Sequence, residues 1–395
     1  MKLATCLLPL VYIAVAACFQ NEQVLLDNSL QTYPGFDLDL NELRWVQLEG
    51  EAAPVLMSEL EKIELKAQGF KFFDVSETPD LGSYSHLKAA NKPSYPTPNK
   101  TELVEPILKT LEIDNLVKGL TAFTSFRTRY YRSDTGKQSQ EWLLTTINEA
   151  NTDIAITTKY ASDSLRELIT VKEFPHTWIQ SSVVARINGS TPTEDGVVVI
   201  GAHQDSTNMW PFLPAPGADD DGSGSMSILE AYRALLAADF RPERAVEFHW
   251  YSAEEGGLLG SQAIAQDYER RGVNVIAMSQ YDMTAWVKRG TREEVGVIVD
   301  YTDSTLTELN KQLVDMYLDI PFVETKCGYA CSDHASWAKA GYPSVFTIES
   351  TFENSNKNIH SANDRMDVSD EFSFSHMLEF SKLAVAFAVE LGGWA

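Results

Sequence analysis

Short apolar runs recur along the chain from about residue 100 onward, and stretches with helical periodicity separate them. Continuous runs of four to six residues are typical of strands buried on both faces of a mostly parallel sheet. Helical spacing covers residues 103–120, the surroundings of Trp142 and the segment from about Ser225. The pattern predicts a three-layer α/β/α fold, with helices flanking a mostly parallel central sheet. The strand-like runs are residues 182–187, 197–200, 245–250, 275–278, 295–299 and 344–348.

Three of these runs lead directly into side chains of the kind that bind metals. Run 197–200 is followed by His203, run 245–250 by the pair Glu254-Glu255, and run 275–278 by Asp282. In open α/β sheets, ligands bind beyond the carboxyl ends of the strands. We therefore expect these side chains to meet at one edge of the sheet.

Two further segments add to this set of side chains. The stretch 216–224, Pro-Gly-Ala-Asp-Asp-Asp-Gly-Ser-Gly, places three adjacent carboxylates before a predicted helix, and a histidine, His360, lies in a loop near the C-terminus. Capping of the helix would explain one of the acids but not three. Nitrogen and carboxylate ligands without thiolates suit zinc, with cobalt or manganese as alternatives. The inventory fits two metals about 3.5–4 Å apart that share a bridging carboxylate, an arrangement used for hydrolysis.

Six motifs, in order along the chain, resemble those of the di-zinc leucyl aminopeptidases secreted by bacteria and fungi. The resemblance extends from about residue 120 to the C-terminus. It implies the fold described above and two Zn²⁺ per subunit. The motifs are Gly201–Ser206, Pro216–Gly224, Ala253–Gly256, Gln280–Met283, Cys327–Trp337 and Ile359–His360.

The resemblance also implies a role for each residue of the site. His203 and Asp282 would hold one zinc, and Glu255 and His360 would hold the other. Asp220 would bridge the two ions, and the peptide bond from Asp220 to Asp221 would be cis. Glu254 matches the general base, and Tyr329 matches a donor to the developing oxyanion. Asp205 would orient the imidazole of His203 without binding the metal itself, as residues that support metal ligands do.

The same resemblance indicates an apolar pocket for the first residue of a peptide. Met283, Phe352 and Ile359 flank the proposed ligands, together with Tyr329. The implied reaction is the release of N-terminal residues, preferably leucine and other large apolar ones, from peptides. His334, next to Asp333, is interpreted as a structural neighbour rather than a ligand, and His376 as a surface residue.

Other functions remain open at the level of sequence. A carboxypeptidase-like or dipeptidase enzyme would need an arginine for the substrate carboxylate, and none is evident in the loops after the strands. A glutaminyl cyclase would use one zinc. A binding ectodomain without activity would be expected to lack a ligand or the base.

The first 87 residues contain none of these motifs. Lys2 precedes an apolar run at residues 7–17 that ends in small residues, which predicts a cleavable signal peptide at 1–17. A membrane anchor is the alternative, although such an anchor needs about 20 apolar residues. Residues 18–87 are interpreted as a pro-region that assists folding or blocks the site, and a permanent accessory domain is the alternative. Residues 88–395 form the predicted catalytic domain.

One helix is predicted within the pro-region. It begins with Pro54, carries apolar residues at helical spacing and ends at Gly69. The apolar residues are Val55, Leu56, Leu60, Ile63 and Ala67.

Composition agrees with an exported protein. The net charge of −24 disfavours nucleic acid and anionic membranes as partners, and we expect a secreted monomer that acts on peptides with a free N-terminus. Asn99 and Asn188 begin glycosylation sequons. Of the four cysteines, Cys327 and Cys331 lie beyond the signal region and are expected to form a local disulfide. A metal-binding cysteine pair is the alternative, but no second pair would complete it.

Overall fold

An eight-stranded mixed sheet forms the centre of the protein, in the spatial order β10-β9-β11-β8-β6-β7-β5-β4. The structure, a computed structural model, describes residues 33–51, 53–86, 93–148, 156–192 and 195–395. The signal peptide and the pro-region boundary near residue 87 lie outside these ranges. The strands of this sheet are β4 Ile169–Phe174, β5 Ser182–Ile187, β6 Val197–His203, β7 Ala245–Tyr251, β8 Val275–Tyr281, β9 Val295–Ile298, β10 Phe322–Thr325 and β11 Ser344–Ile348.

The predicted parallel arrangement is confirmed for the centre of the sheet. Strands β11, β8, β6 and β7 run parallel to one another. On one side β5 is antiparallel to β7 and β4 is antiparallel to β5, and on the other side β9 is antiparallel to β11. The strands that precede the predicted ligands, β6, β7 and β8, are adjacent. Their carboxyl ends therefore meet, as the sequence predicted. Strands β4 and β10 were not predicted.

Helices cover both faces of the sheet. Alternate residues of β6 show this: Val198 and Ile200 belong to one apolar core, whereas Val197 and Val199 belong to another on the opposite face. The stretch predicted as helical at 103–120 is two helices. The helices outside the N-terminal unit are α2 Thr101–Leu108, α3 Ile113–Phe123, α4 Asp134–Asn148, α5 Ile156–Tyr160, α6 Asp163–Arg166, α7 Gly224–Ala237, α8 Leu259–Arg271, α9 Ser304–Tyr317, α10 His334–Lys339 and α11 Phe374–Gly392.

Residues 33–86 form what we call the N-terminal unit. It has a three-stranded antiparallel sheet in the order β2-β1-β3, with one helix, α1, between β2 and β3. These elements are β1 Leu43–Leu48, β2 Val55–Ser58, α1 Glu59–Ala67 and β3 Phe72–Asp74.

The helix predicted from Pro54 is wrong in its first turn. Residues 55–58 form strand β2, and the helix begins at Glu59 because Ser58 caps it. The Ser58 hydroxyl accepts the N–H of Glu61, and the Glu61 carboxylate accepts the N–H of Ser58. No helix within the described residues is long and apolar enough to cross a bilayer.

Candidate metal centre

The predicted ligands meet at the carboxyl edge of the central strands. His203 is the last residue of β6, Asp282 directly follows β8, and Glu255 lies four residues beyond β7. Asp220 comes from the irregular turn Ala218–Ser223 before α7, and His360 comes from the loop before α11. Five segments that are distant in sequence thus contribute one side chain each.

Asp220 lies between the two histidines. Its Oδ1 is 3.1 Å from Nε2 of His203, and its Oδ2 is 3.0 Å from Nε2 of His360. The same Nε2 of His360 is 3.1 Å from Oε2 of Glu255, while Nε2 of His203 is 3.7 Å from Oδ1 of Asp282. The side chains therefore form two groups that share one carboxylate.

Several of these atoms are buried without a hydrogen-bond partner. They include Nε2 of His203, Oε1 of Glu255 and Oδ1 of Asp282. Buried polar atoms are normally paired, so unpaired nitrogen and oxygen atoms that face one another indicate a site for a cation. Potential ligand atoms of Asp220, Glu255 and His360 all lie within 4.8 Å of one another. The donor set therefore fits zinc.

Asp221 lies near His203 and Asp282 as well, but its carboxylate is engaged elsewhere. It accepts backbone N–H groups from His203, Gly224 and Met283 at 3.0, 2.9 and 3.2 Å. We therefore interpret Asp221 as a support for the loops and not as a ligand. The expected cis peptide bond between Asp220 and Asp221 is confirmed.

The site contains several carboxylates, and the charges of its side chains shift one another's pKa values. Burial alone would lower the pKa of His203 and His360, but the surrounding carboxylates raise the first well above its usual value and the second to about 9. Burial raises the pKa of the Asp220 carboxyl, yet the two histidines outweigh burial and hold it below its usual range. Such a field attracts cations.

Asp205 contacts the ring of His203, as expected, and also supports the turn after β7. Its carboxylate accepts the backbone N–H groups of Glu254 and Glu255 at 3.1 and 3.2 Å. Nδ1 of His203 lies 3.1 Å from the backbone carbonyl of Asp205 and 3.4 Å from its carboxylate. The contact with the histidine ring is present, and the carboxylate also fixes the turn that follows β7.

The loop that carries Asp220 is held from both sides by two residues that the sequence did not identify. Asp364, which is buried, accepts the N–H groups of Asp219 and Asp220 through its two carboxylate oxygens, each at 3.0 Å. The Arg129 guanidinium donates to the carbonyls of Pro216 and Gly217. Both contacts join distant segments, so no local motif indicated them.

Backbone geometry beside the ligands is unusual. Ala253, Met283 and His360 have φ values of 59°, 56° and 53°, which is the left-handed region that residues with a Cβ rarely adopt. Each of them is a proposed ligand or lies within two residues of one. Such positions are often found at functional sites, where the surrounding contacts enforce them.

A cavity of about 290 Å³ opens beside the proposed ligands. The predicted pocket residues Met283, Phe352 and Ile359 line it, together with Tyr329 and Glu254. Phe346 and Ile348 of β11 extend the same apolar cluster. The residues expected to act as base, oxyanion donor and pocket therefore line one cavity.

The disulfide between Cys327 and Cys331 is confirmed. It closes the short loop that carries Tyr329. The Tyr329 ring packs edge-on against Phe352, with ring centroids 6.1 Å apart. Burial and the nearby Glu254 carboxylate raise the pKa of the Tyr329 hydroxyl above its usual value, so it remains protonated and able to donate a hydrogen bond.

The N-terminal unit reaches into the same cavity. Lys66, Phe70, Lys71 and Phe72 line it opposite the catalytic-domain residues. Nζ of Lys66 lies 2.6 Å from Oε2 of Glu255 and 2.6 Å from its backbone carbonyl. Nζ of Lys71 lies 4.6 Å from the centre of the Tyr329 ring. None of these four residues was identified from the sequence. For Lys66 the reason is distance along the chain, since it lies 189 positions from Glu255.

Two histidine predictions have different outcomes. His334 is buried, its ring nitrogens have no hydrogen-bond partner among the described residues, and it belongs to neither ligand group. The assignment of His376 to the surface is wrong. Its ring is buried, with Nδ1 3.0 Å from Glu293 and Nε2 2.8 Å from the carbonyl of Glu349, because α11 packs this face into the core.

The two sequons differ in their surroundings. Asn99 is exposed. Asn188 is half-buried, and its side-chain amide donates to the carbonyl of Leu168 at 2.9 Å and accepts from Arg186 at 2.8 Å.

Fold and site together define an α/β metallohydrolase, and comparisons with known proteins specify it further. Residues 182–385 match Peptidase family M28. The chain is 45% identical to Leucine aminopeptidase 1 of Pyrenophora tritici-repentis over 99% of this chain and 98% of that protein. It is 47% identical to Leucine aminopeptidase 1 of Phaeosphaeria nodorum over 96% and 95% of the two chains. The LapA aminopeptidase of Legionella pneumophila has a similar structure, with a TM-score of 0.73 and 30% identity over 88% of this chain and 93% of that one.

The protein belongs to peptidase family M28 and is a metallo-aminopeptidase, a hydrolase that acts on peptides.

Proposed function

We propose that the protein is a secreted aminopeptidase that uses two zinc ions to release N-terminal leucine and other large apolar residues. The observation that carries this proposal is the position of Asp220, whose two oxygens face His203 and His360 at 3.1 and 3.0 Å. A carboxylate with one oxygen toward each of two ligand groups is suited to bridge two metals. His203 and Asp282 would complete one position, and Glu255 and His360 the other.

The ions would polarise the scissile carbonyl, lower the pKa of water and hold the free amine of the substrate. Glu254 lines the cavity and would take a proton from the attacking water and pass it to the leaving amine. Burial and the neighbouring Glu255 raise the pKa of Glu254 above its usual value, which makes its carboxylate a stronger base. Tyr329 would donate a hydrogen bond from its hydroxyl to the oxygen on which negative charge develops.

The lining of the cavity supports a preference for apolar first residues. Met283, Phe346, Ile348, Phe352 and Ile359 form its apolar part. No arginine lines the cavity in the described part of the chain, which disfavours recognition of a C-terminal carboxylate.

One lysine of the catalytic domain, Lys357, does line the cavity. Its Nζ donates to the carbonyl of Phe352 and to the hydroxyl of Ser355, each at 3.1 Å. Its ammonium group is therefore engaged with its own loop and is not presented to a substrate carboxylate.

Residues 18–87 act in this proposal as a pro-region that blocks the site until it is removed. Phe70, Lys71 and Phe72 line the cavity that would receive the peptide, and Lys66 contacts a proposed ligand. Residues 1–17 would direct the chain to the secretory pathway. Oxidative closure of Cys327–Cys331 is consistent with that route.

The test uses the secreted full chain with a specific protease site introduced between Ala89 and Ala90. Leucyl anilide and N-acetyl-leucyl anilide are assayed before and after cleavage, with and without a zinc chelator. We expect chelator-sensitive hydrolysis of the unblocked substrate only, and only after cleavage. Hydrolysis of the acetylated substrate, or activity that resists the chelator, would contradict the proposed function.

A further inference from the structure

The ammonium group of Lys66 uses the same carboxylate oxygen as one of the proposed metal positions. Its Nζ lies 2.6 Å from Oε2 of Glu255, and that oxygen is 3.1 Å from Nε2 of His360. The Glu255 side chain is only 2% exposed, so this is not a solvent-screened surface pair. The lysine of the N-terminal unit therefore neutralises a ligand of the group that Asp220, Glu255 and His360 form.

The helix that carries Lys66 is fixed firmly enough to hold this position. Lys62, one turn earlier on α1, is buried, and its Nζ lies 2.8 Å from Glu59 and 2.9 Å from Asp74. The N–H of Asp74 in turn donates to the carbonyl of Gly257 at 3.1 Å, two residues after Glu255. The N-terminal unit is thus attached directly beside the metal centre.

The other half of the centre is not contacted in this way. Among the described residues, the ion-pair contacts of His203 and Asp282 involve only site residues, and no lysine or arginine reaches them within 4.0 Å. The N-terminal unit therefore affects the two proposed metal positions unequally.

We propose that Lys66 and the zinc ion held by Glu255 and His360 exclude each other, so that the uncleaved chain carries one zinc, at His203 and Asp282, and acquires the second after the N-terminal unit leaves. This inference rests on the two-zinc site proposed above. Zinc binds carboxylate oxygen at about 2.0–2.2 Å, so an ammonium on the same oxygen would lie close to a second, doubly charged cation. In a buried site such like charges repel strongly. The unit would then control the composition of the metal centre as well as access to the cavity.

Zinc content measures this directly and independently of activity. The metal-free full chain, its Lys66→Met variant and its Lys71→Met variant are equilibrated against buffered free zinc, and bound zinc per chain is determined by elemental analysis. Lys71 is the matched control, because its Nζ faces the Tyr329 ring in the same cavity but is not paired with a proposed ligand. Circular dichroism verifies that each variant is folded, and Lys66→Gln is a second replacement that keeps a polar side chain.

We expect about one zinc in the full chain and in Lys71→Met, but about two in Lys66→Met and Lys66→Gln. The cleaved enzyme should also bind about two. A full chain that binds two zinc ions at the same free concentration would overturn the proposal, as would Lys66 variants that still bind one.

The cleaved enzyme separates this inference from the function on which it rests. Fewer than two zinc ions in the cleaved enzyme would contradict the two-zinc site itself. If the cleaved enzyme binds two and the full chain also binds two, only the exclusion by Lys66 is wrong. The Lys66→Met chain should remain inactive before cleavage, because Phe70 and Phe72 still line the cavity.

Discussion

The Ser332 hydroxyl donates a hydrogen bond of 2.6 Å to Oδ2 of Asp282. The other oxygen of Asp282 is thereby directed toward His203, at 3.7 Å from its Nε2. Ser332 directly follows the disulfide loop that carries Tyr329. This hydrogen bond therefore links the end of the loop that carries the proposed oxyanion donor to a proposed ligand.

Ser332→Ala should weaken zinc at the His203–Asp282 position by roughly 10–100-fold, as is usual when a supporting hydrogen bond to a ligand is lost. Competition with a chromophoric chelator measures this affinity. Ser336→Ala is the control, because the Ser336 hydroxyl is also buried but bonds to Ser261 instead of a site residue. Equal affinities in the two variants would rule out the role assigned to Ser332.

The two hydrogen bonds from Asp364 to the loop of Asp220 lead to a second prediction. Asp364→Asn keeps the size of the side chain but replaces one acceptor by an amide that cannot accept the N–H of Asp219 or Asp220. We expect both zinc affinity and kcat to fall, kcat by roughly 10–100-fold. Asp367→Asn, at an exposed position paired with Arg365, should leave both unchanged. A normal kcat in Asp364→Asn would show that the loop does not need this support.

Replacing the two adjacent glutamates should have different consequences. In the cleaved enzyme, Glu254→Gln should lower kcat by roughly 10²–10⁴-fold and leave the zinc content unchanged, because a base is lost but no ligand. Glu255→Gln should lose zinc from one position. Parallel measurements of kcat and zinc content distinguish the two roles, and loss of zinc in Glu254→Gln would mean that the roles are reversed.

Acid should loosen the N-terminal unit. Burial raises the pKa of Asp74, but Lys62 and Arg44 outweigh burial and lower it to about 2. Because this folded-state pKa is depressed below the unfolded value, the stabilisation is complete above about pH 4 and is lost as the pH falls toward 2. The contribution of Asp74 to the unfolding free energy of the unit is about 2 kcal/mol.

Hydrogen-exchange protection factors of residues 43–74, which are corrected for the intrinsic pH dependence of amide exchange, measure this loss. The protection factors should fall between pH 4 and pH 2. Asp74→Asn should exchange faster already at pH 7, whereas Asp80→Asn, at an exposed position, should behave like the unmodified chain. If the protection factors stay constant down to pH 2, the network around Asp74 does not control the unit.

The sequons provide a prediction that requires only mass measurement. The exposed Asn99 should carry a glycan when the chain is secreted from a eukaryotic host. Asn188 should not, because its side-chain amide is engaged with Leu168 and Arg186. Asn99→Gln should therefore lower the mass by one glycan and Asn188→Gln by none. The opposite pattern would show that the amide of Asn188 is accessible before folding is complete.

The central strands and the residues of the candidate metal centre could be predicted because both are encoded locally. An apolar run followed within a few residues by His203 or Asp282 indicates the strand and the proposed ligand together. The first turn of α1 was predicted wrongly because Val55 and Leu56 satisfy helical spacing as well as strand burial. The Ser58–Glu61 capping pair would have located the correct start.

The remaining features depend on contacts between distant segments. Lys66 reaches Glu255 across 189 positions, and Asp364 reaches Asp220 across 144. The neighbouring sequence of such a lysine or aspartate does not distinguish it from an ordinary surface residue. The burial of His376 likewise depends on how α11 packs, which its neighbours in sequence do not determine.

Asp205 joins the ends of two strands. Its backbone carbonyl and its carboxylate both face the ring of His203 at the end of β6, while the carboxylate accepts the N–H groups of Glu254 and Glu255 beyond β7. A change at this residue would therefore disturb a proposed ligand of each metal position and the proposed base at once. Attempts to engineer a different metal preference at one position should accordingly leave Asp205 intact and vary the residues that serve only that position.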